Sequence, residues 1–113
     1  MNAPVAGLAG LSLKDTKLFR EQCYIDGQWV SADSKKTFAV RNPATGDTLG
    51  SCPDMGVAET KRAIDAAERA WPAWRAKTAK ERAGLMRKWF ELILGNQEDL
   101  ARIMTAEQGK PLA

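Results

Sequence analysis

Two cysteines are the residues of this sequence best suited to covalent chemistry. Cys23 lies beside Tyr24 in an extended run, and Cys52 directly precedes Pro53. A nucleophilic cysteine needs a helix N-terminus or a nearby cation that lowers the pKa of its thiol. Neither local sequence supplies one, so we expect both cysteines to be inert structural residues.

Histidine is absent from the sequence. Its absence excludes a Ser-His-Asp triad, a Cys-His pair and a histidine-ligated zinc ion built from these residues alone. We expect the acidic side chains of the second half to lie on helix surfaces or at helix starts, where solvation and the helix dipole explain them. The acids in question are five of those in that half, namely Glu59, Asp65, Glu68, Glu98 and Asp99. The sequence therefore predicts no catalytic and no cofactor-binding residue within the chain.

Two loops contain residue types that bind phosphate in other proteins. The segment Asn42–Asp47 has one glycine and no Gly-x-Gly pattern, which favours a simple turn over a phosphate cradle. Lys110, in the run Glu107–Pro111, has no glycine-rich loop or hydroxyl partner beside it. The end of a helix is the better interpretation of that run.

The first half of the sequence predicts short extended segments. Lys14–Gln22 favours a short helical turn, and Asp26-Gly27 within Cys23–Val30 is a strong signal for a hairpin with a type I′ turn. Two more extended segments follow at Thr37–Arg41 and Thr48–Cys52, the second closed by proline.

The second half changes to a helical period. Pro72 is expected to end or kink the first helix near Trp71. A Thr78-x-x-Glu81 capping box predicts the start of a second helix, and its wide apolar stripe predicts burial on more than one side. The apolar positions of the first helix are Val57, Thr60, Ile64, Ala67, Trp71 and Trp74, and those of the second are Met86, Trp89, Phe90, Ile93 and Leu94.

Glycines and a proline mark the remaining helix ends. Gly95 is expected to end the second helix in the left-handed conformation, and Asn96 to cap the third. Gly109 is expected to end the third helix, and Pro111 then stands where a further helix would start.

The charge pattern argues against two classes of partner. The net charge is +3, and nine of the 17 Lys and Arg residues lie between Lys61 and Lys88, interspersed with acids. This pattern favours a solvated helix face, although a nucleic-acid-binding surface is an alternative that predicts salt-dependent binding.

No apolar run approaches the roughly 18–20 residues of a membrane span. Met1–Leu13 has no Lys or Arg, so we expect no targeting sequence, a cytoplasmic location and reduced cysteines.

The predicted elements make a poor closed unit. Short hairpins are marginal by themselves, and broad apolar helix faces need partners. We therefore interpret the sequence as the opening of a longer protein. The alternative is a complete, small, non-enzymatic helical interaction module, which predicts a cooperative thermal transition for the chain alone.

Several motifs, in this order and spacing, resemble the N-terminal part of the aldehyde dehydrogenase family. The resemblance covers residues 18–113. It implies an α/β fold for the full-length protein, in which this segment is an N-terminal β-hairpin plus short strands followed by three helices. Residues 1–20 would form an arm, and residues 21–113 an incomplete cofactor-binding domain. The motifs are Tyr24–Trp29, Asn42–Gly46, Ala63–Ala67, Trp71–Trp74, Thr78–Phe90 and Glu107–Ala113.

Within that family, three segments are similar to the bacterial, NADP-preferring succinate-semialdehyde dehydrogenases, and equally to glutarate-semialdehyde dehydrogenases. They are Leu18–Gln22, Trp74–Ala76 and Leu100–Arg102. The resemblance implies oxidation of a small aldehyde to an acid by a cysteine thiolate, with NADP or NAD as hydride acceptor. It also implies a homo-oligomer that binds neither nucleic acid nor membrane. The family's nucleophile, base and cofactor-binding residues lie beyond residue 113, so we expect the chain alone to be an inactive scaffold.

The resemblance implies one site within the chain. Some family members hold a monovalent cation through two consecutive carbonyls before the Asn-Pro turn and an acidic side chain, which here correspond to Val40, Arg41 and Glu107. Oxygen donors of this kind suit a hard cation. The alternative is that Glu107 only bonds a backbone N–H or a neighbouring lysine.

Overall fold

A computed structural model describes residues 11–113 of the chain. Four short strands precede three helices, and a single 3₁₀ turn, Thr16–Leu18, precedes the strands. No helix in this part of the chain is long and apolar enough to cross a membrane. The strands are β1 (Cys23–Ile25), β2 (Gln28–Val30), β3 (Thr37–Arg41) and β4 (Thr48–Pro53), and the helices are α1 (Val57–Ala76), α2 (Ala79–Gly95) and α3 (Gln97–Gln108).

Strands β1 and β2 form the predicted hairpin. Asp26 and Gly27 at its turn have φ values of 51° and 74°, the positive pair that a type I′ turn needs. Cys23 pairs with Val30 across the ladder. The rings of Tyr24 and Trp29 meet edge to face with their centroids 5.1 Å apart.

Strands β3 and β4 form a second, separate antiparallel pair. Val40 pairs with Gly50 but Arg41 pairs with Thr48, so a bulge interrupts the ladder beside Leu49. The structure extends β4 through Pro53, one residue beyond the predicted end. Proline is tolerated there because the end of a two-stranded ladder does not require its missing N–H.

Of the two outcomes expected from Pro72, an end or a kink near Trp71, the structure of helix α1 rules out the end. The helix continues through Pro72 to Ala76, and the N–H of Lys77 closes it on the carbonyl of Trp74 at 3.2 Å. Proline removes one backbone hydrogen bond, but the bonds on either side of it hold the last turn.

Helix α2 begins and ends at the predicted residues, but its end has a different conformation. Thr78 Oγ1 accepts from the N–H of Glu81 at 3.2 Å, and Glu81 Oε2 accepts from the N–H of Thr78 at 2.7 Å. The prediction of a left-handed Gly95 is wrong, because Gly95 is the last helical residue and lacks a positive φ. The side-chain amide of Asn96 donates to the carbonyl of Leu92 at 2.8 Å, and the same carbonyl accepts from the backbone N–H of Asn96 at 3.2 Å.

Helix α3 follows with almost no connection. Asn96 is its first cap residue, as predicted, but its side chain points back to α2 and makes no capping bond to α3. Gly109 ends the helix, which confirms the sequence prediction, and its φ of 80° is in the left-handed region.

The core of the described residues is small. Its buried apolar side chains are Ala32, Leu49 and Ala106. Helix α2 has no buried residue, and 61% of Trp89 and 46% of Phe90 are exposed. The wide stripe of α2 therefore has no covering layer within residues 11–113.

Candidate functional site

The turn after β3 is held by its own backbone and by two of its side chains. Asn42 Oδ1 accepts from the N–H of Ala44 at 2.9 Å, and the N–H of Gly46 donates to the Asn42 carbonyl at 2.8 Å. Thr45 Oγ1 accepts from the N–H of Asp47 at 3.2 Å. These bonds occupy amides that a phosphate cradle would have to offer to a ligand, so the geometry is that of a simple turn.

The end of α3 packs against this turn. A Cβ placed on Gly109 would lie 3.4 Å from Pro43 Cγ, so the helix end and the turn are in close contact. A cavity of about 470 Å³ opens between the turn and α3, and Asn42, Thr45, Arg102 and Thr105 are among its lining residues. Lys110 lies just past the helix end and is exposed.

The three residues of the expected cation site come from the end of β3 and the last turn of α3. Val40 and Arg41 flank the bulge, where the regular ladder of hydrogen bonds is interrupted. The guanidinium of Arg41 turns to Gly46 and Thr48, with its Nη1 donating to the glycine carbonyl at 3.3 Å and to the threonine hydroxyl at 3.2 Å. Glu107 is exposed on the last turn of α3. The donors are all oxygens and fit a hard cation in type.

The two cysteines lie next to each other, which the sequence did not indicate. Both are free and half-buried. Burial raises the pKa of the Cys52 thiol above its ordinary value, and the neighbouring Cys23 thiol and the Glu107 carboxylate raise it further. A nucleophilic cysteine needs the opposite shift, so Cys52 is unsuited to attack on a carbonyl.

Two of the acids expected on helix surfaces or at helix starts lie in the first turn of a helix, as expected, but are buried. Asp99 is 5% exposed, and its carboxylate accepts from the N–H groups of Lys14 at 3.0 Å and Asp15 at 2.8 Å. These backbone donors lower the pKa of Asp99, with that of Asp15 contributing more. No local pattern could reveal this contact, because the partners are more than 80 residues apart in sequence.

The second buried acid is Glu59, in the first turn of α1. Its carboxylate accepts from the N–H of Gly56 and, at 3.4 Å, from the N–H of Asp33. The first bond is the glutamate half of a capping box, and glycine in the cap position hid the usual Ser/Thr signal. Surface solvation is therefore the wrong explanation for Glu59 and Asp99, which bind backbone amides of other segments.

The basic stretch on α1 and α2 is partly neutralised by ion pairs. Arg62 binds Asp33 through two N–O contacts, 2.7 and 3.0 Å long, and Arg69 contacts Asp26 at 3.1 Å. The hydrogen bonds from Arg62 lower the pKa of Asp33. These two ion pairs offset the charge of two of the nine basic residues between Lys61 and Lys88. Across residues 11–113, no group of three or more acidic or cysteine side chains is placed to hold a metal ion.

Comparison with known proteins identifies relatives over nearly the whole chain. Residues 29–113 match the model of the aldehyde dehydrogenase family. The chain is 64% identical over 103 residues to glutarate-semialdehyde dehydrogenase of Pseudomonas aeruginosa, and 58% identical over 103 residues to NADP(+) succinate-semialdehyde dehydrogenase of Escherichia coli. Each alignment covers 91% of this chain and 21% of the relative, so the chain spans about a fifth of the length of the proteins it matches.

Solved structures agree with the sequence relatives. The fold superposes with a TM-score of 0.87 on succinate-semialdehyde dehydrogenase from Burkholderia pseudomallei, at 59% identity over 89% of this chain and 21% of that chain. Short strands followed by three helices are therefore the local form of an α/β fold in this segment, as expected from the sequence. The chain belongs to the aldehyde dehydrogenase family.

Proposed function

We propose that this chain is the N-terminal segment of an NAD(P)-dependent succinate-semialdehyde dehydrogenase, which oxidises succinate semialdehyde to succinate. The observation that supports the proposal most directly is the high identity with semialdehyde dehydrogenases along nine-tenths of the chain. A separate interaction module with the same residues in the same order would have no reason to preserve that similarity.

The chain itself contributes scaffold to this reaction. The nicotinamide cofactor of the full-length protein would accept a hydride from the aldehyde carbon. The thiolate that attacks that carbon would come from residues outside this segment. Within residues 11–113, Arg69 of α1 binds the β1–β2 hairpin. Arg62 and Glu59 of the same helix bind the segment that follows β2. These contacts fix the position of the strands relative to the first helix.

The experiment is a substrate comparison on the protein expressed from its full reading frame. Reduction of NADP and of NAD is followed with succinate semialdehyde, glutarate semialdehyde and an uncharged aldehyde of similar length. The proposal predicts the highest kcat/KM for succinate semialdehyde with NADP. Absence of turnover with every carboxylated aldehyde, in protein that is folded, would refute it.

Glutarate semialdehyde is the second candidate substrate, because identity to a glutarate-semialdehyde dehydrogenase is at least as high as to the succinate enzymes. The two substrates differ by one methylene, which a pocket discriminates by about 10- to 200-fold. A higher kcat/KM for the five-carbon aldehyde in the same assay would select this alternative.

A monovalent cation held by the carbonyls of Val40 and Arg41 and the carboxylate of Glu107 is part of the proposal. Its support is the bulge beside the first two residues and the all-oxygen donor set. We expect K⁺ or Na⁺ to raise the thermal stability of the protein, and Glu107→Gln to remove most of that increase. An equal increase in the variant would show that Glu107 is no ligand.

The compartment and the assembly are also proposals. We infer a cytoplasmic homo-oligomer that binds a small aldehyde and neither nucleic acid nor membrane. Light scattering of the purified protein tests the assembly, and its retention on heparin at low and moderate salt tests the basic surface.

A further inference from the structure

The segment before β1 runs along β4, although β1 and β4 belong to different sheets. The ring of Phe19 fills the space beside Gly50, where an added Cβ would lie 2.8 Å from the ring carbon Cε1. Two residues further on, Glu21 Oε2 accepts from the hydroxyl of Ser51 at 3.2 Å. The segment before β1 and strand β4 therefore lie side by side, and Cys23 and Cys52 follow these contacts in the two segments.

The contacts of Phe19 with Gly50 and of Glu21 with Ser51 bring the two cysteines close together. Cys23 is the first residue of β1, and Cys52 is the next to last of β4. Both side chains are half-buried and free. The Cys23 thiol is near enough to Cys52 to contribute to the raised pKa of the Cys52 thiol. These two residues are the only cysteines of the 113-residue sequence.

We propose that Cys23 and Cys52 are a modification site, which a two-electron oxidant such as hydrogen peroxide converts to a disulfide between β1 and β4. The bond would join the β1–β2 hairpin covalently to the β3–β4 hairpin. Within residues 11–113, no ladder hydrogen bonds join these two sheets, which are connected by the polypeptide itself.

The chemistry balances with peroxide as the only co-reactant. The Cys23 thiolate attacks one peroxide oxygen, so an S–O bond forms, the O–O bond breaks, and the departing hydroxide takes up a proton to become water. Cys52, after losing its proton to solvent, attacks the sulfenic sulfur, so the S–S bond forms and a second water leaves. Two thiols are oxidised by two electrons, and one peroxide is reduced to two waters. Cys23 is assigned the first attack because the raised pKa of Cys52 keeps that thiol protonated.

The disulfide would restrain the hairpins without touching the chemistry of aldehyde oxidation. It closes a loop that contains β2, β3 and the connections between them. Cross-linking such a loop restricts the unfolded chain more than the folded one. Oxidised protein should therefore resist proteolysis between the two cysteines better than reduced protein does.

The test is peptide mapping of the protein from its full reading frame. Native protein is treated with a few-fold excess of hydrogen peroxide over total thiols, free thiols are blocked by alkylation, and trypsin is added. Cleavage at Lys and Arg places Cys23 in peptide 21–35 and Cys52 in peptide 42–61. We expect these two peptides joined in more than half of the molecules, and separated again by dithiothreitol.

Matched controls separate proximity from general oxidation. The same treatment in urea, where the two thiols are no longer held together, should give at least tenfold less of the joined peptide. Cys52→Ser and Cys23→Ser should each give none. Recovery of both peptides in alkylated form from native, oxidised wild-type protein would overturn the proposal, and so would equal joining in the native and unfolded protein.

Discussion

At the scale of single residues, buried carboxylates join distant segments of this chain. Asp99 at the start of α3 binds two backbone amides that precede the 3₁₀ turn, and Glu59 binds amides on both sides of β3 and β4. In each case the carboxylate accepts hydrogen bonds from backbone N–H groups that lie outside the strands. Unpaired buried amides are costly, which explains why acidic residues occupy these positions.

Replacing Asp99 with Asn should release the segment that it binds. An amide retains one acceptor oxygen and loses the charge that strengthens both bonds. We expect about tenfold faster hydrogen exchange at the amides of Lys14 and Asp15. Asp65→Asn, at an exposed position on α1, is the control and should leave those rates unchanged.

The same contact should depend on pH. Because the folded-state pKa of Asp99 is below its ordinary value, its contribution is present above the usual carboxyl range and is lost as the pH falls through the folded-state pKa. Exchange rates corrected for intrinsic pH dependence should therefore converge between wild type and Asp99→Asn at low pH. A difference that grows on acidification would contradict the assignment.

Neither cysteine of this chain should be required for catalysis. Burial and a neighbouring carboxylate raise the pKa of Cys52, and Cys23 lies on a strand and not at a helix N-terminus. We expect Cys23→Ala and Cys52→Ala to retain kcat within several-fold of wild type. A loss of several orders of magnitude in folded protein would place one of them at the reacting centre.

At the scale of elements, local signals determined most of the boundaries. The Asp26-Gly27 turn, the Thr78 capping box and the helix end at Gly109 each act within four residues, and the sequence predicted all three. Two predictions about helix ends failed where local rules compete. At Gly95 the helix ends without the left-handed conformation, because Asn96 binds the Leu92 carbonyl through its N–H and its side chain, and at Pro72 the flanking hydrogen bonds outweighed the missing one.

Contacts between elements were beyond the reach of the sequence. The Asp99 contact and the neighbouring cysteines join segments that no periodicity relates, so neither could be predicted. For the candidate cation site, only the family resemblance singled out Val40, Arg41 and Glu107, because carbonyl ligands leave no trace in residue type. The resemblance also carried the expected fold, which local patterns alone would have left as separate hairpins and helices.

The capping box of α2 should contribute measurably to stability. Thr78→Ala removes the hydroxyl that accepts from Glu81 and should lower the free energy of unfolding by about 1 kcal/mol. Thr78→Ser keeps that acceptor and should lose much less. Urea denaturation followed by circular dichroism measures both, and equal losses would show that the cap bond is unimportant.

At the scale of the whole molecule, the described chain lacks a layer over its helices. The radius of gyration is 16.9 Å, whereas a compact domain of this length has about 13 Å. Several large apolar side chains of α1 and α2 face outward. This geometry agrees with a segment whose helices are covered by further chain, as the proposed function requires.

The 113-residue chain expressed alone should therefore associate or fold poorly. Large apolar side chains exposed together, as on α1 and α2, drive self-association. Analytical ultracentrifugation should detect oligomers or aggregates, and thermal unfolding should be broad. A monomer with a sharp, reversible melt would instead support the small interaction module.

Nucleotide reduction by the chain and by the full-length protein tests the central claim most directly. Both proteins are given succinate semialdehyde with NADP and with NAD, and appearance of the reduced nucleotide is recorded under identical conditions. The account predicts turnover by the full-length protein and none by the 113-residue chain, which supplies scaffold and no reacting group. Turnover by the chain alone, or a folded full-length protein that reduces neither nucleotide, would contradict it.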